Sequence, residues 1–220
     1  MPTLTQLPEH QAHVQELIAI IHLFHQRGWS PATSTNYSFR NPRPYHETCT
    51  ISSSGVDKLH FQAEDLMMVD DQGQPLPEYA DRKPSAETLL HTMLYHHLDT
   101  EAILHTHSVA STVFSLVHQK DKIVKLTGFE VLKGIQGIQT HEALVAVPIF
   151  DNSQDIKALS EEIRVYFDHN PRMRGFLIAG HGLYAWGRSL AEAKRHVEVF
   201  EFVFECMNQM YGFCRQGGSV

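Results

Sequence analysis

Glu101-Ala102-Ile103-Leu104-His105-Thr106-His107-Ser108 is the stretch around which the rest of the chain can be arranged. Residues 101–104 read as a short buried strand. In an extended chain residues i and i+2 point to the same side, so His105 and His107 share one face and Thr106 takes the other. Two neutral imidazoles aimed at one point suit a divalent metal, zinc above all. The plain alternative is a pair of strand-end histidines that are hydrogen-bonded and inert. A third candidate stands far along the chain at Gly180-His181-Gly182, after the strand-like run Gly175-Phe176-Leu177-Ile178-Ala179. Its flanking glycines permit tight backbone geometry and a close approach to a ligand. Three histidines from two strand ends leave a fourth zinc position open, which is the arrangement of a catalytic site. Cys49, Cys206 and Cys214 show no C-x-x-C spacing, which speaks against a structural zinc.

Working outward from this stretch, Pro84-Ser85-Ala86-Glu87 opens a helix with Ser85 as N-cap, running through Leu89, Leu90, Met93, Leu94 and His97. Downstream, residues 108–118 read as helix, 123–126 as strand, 129–134 as one or two helical turns and 143–149 as strand. Residues 153–169 read as helix with Ser153 as N-cap, and 175–179 and 182–186 as strands meeting at His181. The last long helix spans 189–210, with Ala193, Val197, Phe200 and Val203 on one stripe. Upstream, residues 9–27 carry Val14, Leu17, Ile18, Ile21 and Phe24 at helical spacing and stop at Gly28. Residues 37–40, 48–51 and 66–69 read as strands. This mixture without strict alternation predicts an α/β (mixed α+β) fold: one domain over 1–220, a central mixed sheet flanked by helices.

The chain has 220 residues, enough for one sizeable core. A net charge of −7 argues against a nucleic-acid partner, which requires a basic patch. Three cysteines without framework spacing fit a reducing compartment. No apolar run approaches the roughly 18 residues of a membrane span, and Met1-Pro2-Thr3-Leu4 does not open a signal peptide. The expected location is cytoplasmic, with no membrane partner. Among the 16 histidines, His22, His25, His91, His96 and His97 lie in helical patterns without an acidic or cysteine partner at ligand spacing and read as non-ligands.

Asn36, Ser53, Ser54, Gly55 and Ser85 stand at element junctions, where hydroxyls, an amide and free backbone N–H groups can cradle a phosphate, with Lys58 adding charge. The same residues also serve as ordinary turn and cap chemistry. Glu87 lies in the first turn of the helix before the His105 strand, so the return of the chain can carry it toward the histidines. Glu130 stands in the apolar run Leu126-Thr127-Gly128-Phe129-Glu130-Val131-Leu132. Buried there it would carry a raised pKa and serve as general acid or base; exposed, it would be a solvated carboxylate. His141 is open between substrate contact and loop.

Taken together, Pro84-Ser85-Ala86-Glu87, His105-Thr106-His107-Ser108 and Gly180-His181-Gly182-Leu183 resemble, in order, the class II aldolase and adducin-head family over roughly residues 10–212. Residues 128–134 (GFEVLKG), 147–152 (VPIFDN) and 182–187 (GLYAWG) resemble the family's dehydratase branch in particular. The resemblance implies one zinc ion per subunit on His105, His107 and His181, a sugar-phosphate substrate, and homotetramers with sites near subunit contacts. It implies a hydro-lyase with Glu130 as proton donor and Glu87 at the metal. The alternatives are a zinc-dependent aldolase or epimerase, which also uses the carboxylate at Glu87, and a non-catalytic adducin-like interaction domain. The family's phosphate loop reads Ser-Gly-Asn where this chain has Ser34-Thr35-Asn36.

Overall fold

Helix α1 (Pro8–Gln26) ends because Gly28 takes a φ of 73°. Gly28 N–H donates to His25 O and Trp29 N–H to Phe24 O, both at 2.9 Å. The Phe24 and Trp29 rings pack 5.2 Å apart. This is a Schellman stop with its apolar contact, and it fixes the carbonyl of Trp29, which accepts the backbone N–H of His107 at 2.9 Å. The first helix terminus is thereby tied to the middle of the chain.

The computed structural model describes residues 3–215. Met1, Pro2 and residues 216–220 lie outside the described residues, and with them both ends of the domain expected over 1–220; so does the side chain of Cys214. Strands β1 (Asn36–Arg40), β2 (Cys49–Ser52), β3 (Leu66–Val69), β4 (Ala102–Thr106), β5 (Ile123–Leu126), β6 (Val145–Phe150), β7 (Gly175–Ile178) and β8 (Gly182–Gly187) form one sheet in the order β3-β2-β1-β4-β8-β7-β6-β5. The β6–β7 pair is parallel and the other pairs are antiparallel. Between strands run α2 (Thr88–His97), α3 (Val109–Val117) and α4 (Ile156–His169), and α5 (Leu190–Arg215) follows β8. The mixed α/β fold expected from the sequence is the one observed.

The centre of the sheet is buried on both faces, while the edge strand β5 exposes one side. Leu104, Leu183 and Ala185 pack toward α1, α3 and α5, with Leu17, Phe24, Phe114, Val197 and Phe200. Ile103, Tyr184 and Trp186 pack the other way, against Leu90 and Leu94 of α2 and Ile163 and Phe167 of α4. A strand buried on both faces has no polar side to show, which is why β4 and β8 read as continuous apolar runs. The alternation also assigns His105 to the α2 face, with Ile103, and Thr106 to the α5 face, with Leu104.

Two helix starts differ from expectation. Ser85 is not the N-cap of α2: it closes a preceding turn, where its Oγ accepts Glu87 N–H at 3.2 Å, and Glu87 itself takes the cap position. Ser153 likewise closes a turn on Asp155 N–H, and Asp155 caps α4 by accepting Ala158 N–H at 3.0 Å. In both cases a short polar side chain two residues upstream competes for the first free N–H.

At the β4–β8 contact, a Cβ on Gly182 would lie 1.9 Å from the Thr106 carbonyl oxygen. Gly182→Ala therefore has to force two paired strands apart, and a loss of about 3 kcal/mol or more is expected from such overpacking. Denaturant unfolding checks this; an unchanged midpoint would mean that these strands are not in contact there.

Candidate metal centre

The strand pairings and the start of α2 bring six side chains to one end of the sheet. His105 lies opposite Asn36 of β1 and opposite Tyr184 of β8. His107 follows β4, and His181 sits in the turn between β7 and β8, where Gly180 holds a φ of 67°. That turn is anchored on α3: Ser115 Oγ accepts Gly180 N–H at 2.9 Å, and Thr112 Oγ1 donates to His181 O at 3.1 Å. Glu87 enters from the start of α2.

The three histidines converge. His105 Nε2 lies 2.7 Å from His107 Nε2 and 3.3 Å from His181 Nε2. Glu87 Oε1 is 3.0 Å from His181 Nε2, and Oε2 is 3.7 Å from His105 Nε2. Burial, then the neighbouring imidazoles, hold His105 well below the ordinary histidine pKa. Burial, then His181 and Lys58, push His107 down to about 3. His105 Nδ1 sits 2.9 Å from Leu183 O, which can only accept, so that nitrogen carries the proton and Nε2 keeps its lone pair. Glu87 Oε1 is buried and accepts no hydrogen bond. Neutral imidazole lone pairs facing one point, with an unsatisfied carboxylate oxygen beside them, are the donor set of a divalent cation. His105, His107 and His181 are the one such group among the described residues.

A directed chain of hydrogen bonds holds the other oxygen of Glu87. Asn36 Nδ2 donates to Glu87 Oε2, so Asn36 Oδ1 must accept, and His91 Nε2–H supplies the proton. His91 Nδ1 then accepts from Ser38 Oγ at 2.7 Å, and Ser38 Oγ accepts from Tyr95 OH at 2.7 Å. Burial pushes His91 down to about 3, so it stays neutral as this chain requires. Tyr184 stacks on His105 at 3.9 Å between ring centroids and has His91 against its edge at 5.8 Å. Burial, and then Glu87, hold its phenol well above the usual range.

The structure treats the expected residues unequally. Glu87 is beside the histidines. Ser53, Ser54 and Gly55 follow the end of β2 that lies at the cluster's end of the sheet, since β2 and β4 are both antiparallel to β1. Ser53 Oγ is buried and unpartnered, and Gly55 takes a φ of 77°. Ser85 precedes Glu87 at the same end. Thr35 keeps a left-handed φ of 74°, the conformation that a glycine favours. Asn36 gives one of its two amide N–H groups to Glu87, and its Oδ1 accepts from His91, so much of its side chain is engaged at the centre. His91 has both ring nitrogens engaged, with Asn36 and Ser38, and is part of the support of Glu87. Nothing in its helical spacing marks that role; only the register of Asn36 and Ser38 against α2 does.

Of the two readings of Glu130, the structure has the exposed one. It stands in a short 3₁₀ turn (Glu130–Gly134) after β5, with its side chain 70% exposed, bonded to Lys133 and 3.6 Å from His141. The Lys133 ammonium holds its carboxyl below the ordinary value, opposite to the raised pKa expected of a buried acid. Strand polarity explains its place. Leu126, the last residue of β5, pairs with Val145, the first residue of β6, whereas Ile178 and Phe150 end their strands at the histidine end. Glu130 thus follows the opposite end of the sheet, four strands from β4, or about 19 Å across at the usual strand spacing. It does not meet the cluster of its own chain.

The fold and the three-histidine centre define the class. Residues 15–208 match the family described as "Class II Aldolase and Adducin N-terminal domain", and the chain belongs to that family. It is 47% identical over 199 residues to methylthioribulose-1-phosphate dehydratase of Picosynechococcus sp., covering 90% of this chain and 92% of that one. It is 46% identical to the protein of the same name from Marinobacter nauticus, covering 87% and 90%. In fold it is similar to the solved l-fuculose-1-phosphate aldolase of Thermus thermophilus, with 21% identity, a TM-score of 0.73 and coverage of 94% and 99%.

Asn36→Ala is expected to lower turnover about 10–100-fold, as loss of a supporting hydrogen bond at a metal site usually does, with little change in KM. A phosphate ligand would show the reverse split, which steady-state kinetics resolves.

Proposed function

We propose that this chain is a metal-dependent lyase that dehydrates 5-methylthioribulose 1-phosphate to 2,3-diketo-5-methylthiopentyl 1-phosphate, a step of methionine salvage, in the cytoplasm. The observation that carries this reading is identity of 46–47% over most of the chain to relatives bearing that name, in a protein whose three histidines converge. The metal would be one zinc ion per subunit on His105, His107 and His181. Bound there, it would act as a Lewis acid on the carbonyl at C2.

The residues of the chain supply the rest. Dehydration removes the proton on C3, breaks the C4–O bond and releases water; the enol that remains tautomerises to the second ketone. Glu87, aimed at the centre by Asn36, is placed to take the C3 proton. Ser53, Ser54, Gly55 and Ser85 hold the phosphate, with the buried Ser53 hydroxyl free to donate. Glu130 is the acid for the departing C4 hydroxyl, acting at the centre of a neighbouring subunit; its distance from the cluster of its own chain supports that arrangement. A contact that buries its carboxyl would also raise its pKa into the range of an acid.

A homotetramer is the assembly we propose. α3 starts beside His107 and leaves Val109, Val113, Leu116 and Val117 exposed at 42–77%. An apolar stripe of this kind marks a protein contact. An aldolase or epimerase is the second reading, favoured by the position of Glu87 at the histidines.

Incubation with methylthioribulose 1-phosphate should yield the diketone, stop with a chelator and resume with zinc. Dihydroxyacetone phosphate plus an aldehyde would establish the aldolase instead. A protein without metal or activity would support an adducin-like domain. His107→Ala and Glu130→Gln should each be about 10²–10⁴-fold slower, the usual worth of a placed catalytic group. Co-expressed, the two variants should regain activity in mixed oligomers, because one chain offers the centre and the other the acid. A mixture as inactive as its parts would place Glu130 outside this role.

A further inference from the structure

Behind the histidine strand, on the α5 face, lies a carboxylate that the chemistry above does not use. Glu201 is 1% exposed, near the middle of α5. Thr106 Oγ1 donates to its Oε1 at 2.5 Å, and Ser108 Oγ donates to its Oε2. These are the residues on either side of His107. Ser108 is also the N-cap of α3, accepting Ser111 N–H at 2.8 Å.

We infer that Glu201 is a positioning residue for the metal centre: through Thr106 and Ser108 it sets the direction in which His105 and His107 present their nitrogens. This rests on the metal reading above. A buried carboxylate is an expensive way to fill a helix–sheet contact, where an apolar side chain serves better. Desolvation raises its carboxyl to about 7, offset by the hydroxyls of Ser108, Thr106 and Ser111. What the carboxylate provides is two acceptor oxygens in a fixed plane, each taken by one neighbour of His107. Alternation places Thr106 opposite the imidazoles, so its side chain can be gripped from behind while they face the centre. Other restraints come from different elements: His107 N–H on Trp29 O, and His105 Nδ1 against Leu183 O. Without Glu201 the side chains of Thr106 and Ser108 lose their tie to α5.

The test uses the full-length protein loaded with Co²⁺. Glu201→Gln keeps the shape but leaves one acceptor oxygen. Its release of Co²⁺ to a chelator should quicken about 10–100-fold, as with other lost supporting contacts, and the visible Co²⁺ spectrum should change. Thr106→Val, nearly isosteric, should shift both in the same direction. The double variant should be no worse than the worse single one, since both remove the same link. Parent-like release and spectrum in a folded Glu201→Gln protein overturn the proposal, as does an additive double variant. A parent that takes up no more Co²⁺ than His107→Ala overturns the metal reading itself, and this proposal with it; that failure shows in the parent alone.

Discussion

The centre depends on the close approach of β4 and β8. The Thr106 carbonyl leaves no room for a side chain at position 182, and this contact brings the β7–β8 turn over the end of β4. His181 then meets two histidines that precede it by more than 70 residues. The same pairing puts Leu183 O against His105 Nδ1. One strand contact therefore sets both the position of the third imidazole and the proton on the first.

Around that contact the polar groups are divided by face. On the α2 side, Asn36, His91, Ser38 and Tyr95 form a chain with a single consistent donor direction, ending on Glu87. On the α5 side, the carboxylate of Glu201 gathers the hydroxyls of Thr106 and Ser108. Both sets are buried, where unpaired polar groups are costly and paired ones are rigid. His105 and His107 stay neutral because burial and neighbouring imidazoles disfavour a charge. Neutral, fixed imidazoles beside one carboxylate are a better cation site than the same residues in water would be.

Strand polarity also sorts the candidate residues between the two ends of the sheet. The elements that end at the histidine end of the sheet deliver Ser53, Glu87, His107 and His181, and α3 leaves from there with an exposed apolar stripe. The turn with Glu130 leaves from the other end. If Glu130 is the acid, as proposed, its place at the opposite end of the sheet from the histidines requires a second subunit to complete the site, which links the proposed tetramer to the proposed chemistry.

Much of this was legible in the chain itself. Period-two spacing puts His105 and His107 on one side whatever surrounds them, and glycines flank His181; local backbone rules determine both. Helical periodicity and Gly28 define α1, and the apolar runs locate all eight strands to within a few residues. The family resemblance reached Glu87, which the fold then brought to the histidines. The rest needed the tertiary structure. Asn36 looks like a phosphate ligand by its neighbours in sequence, but its partners are 51 and 55 residues away. His91 and Glu201 carry no local signal, because their roles come from the strands opposite them. Glu130 shows the limit most plainly: its apolar neighbourhood suggested burial, yet the direction of β5, which no local pattern encodes, placed it on the surface at the far end. Local sequence determined which residues could do chemistry; register and strand direction, set by long-range pairing, decided which of them meet.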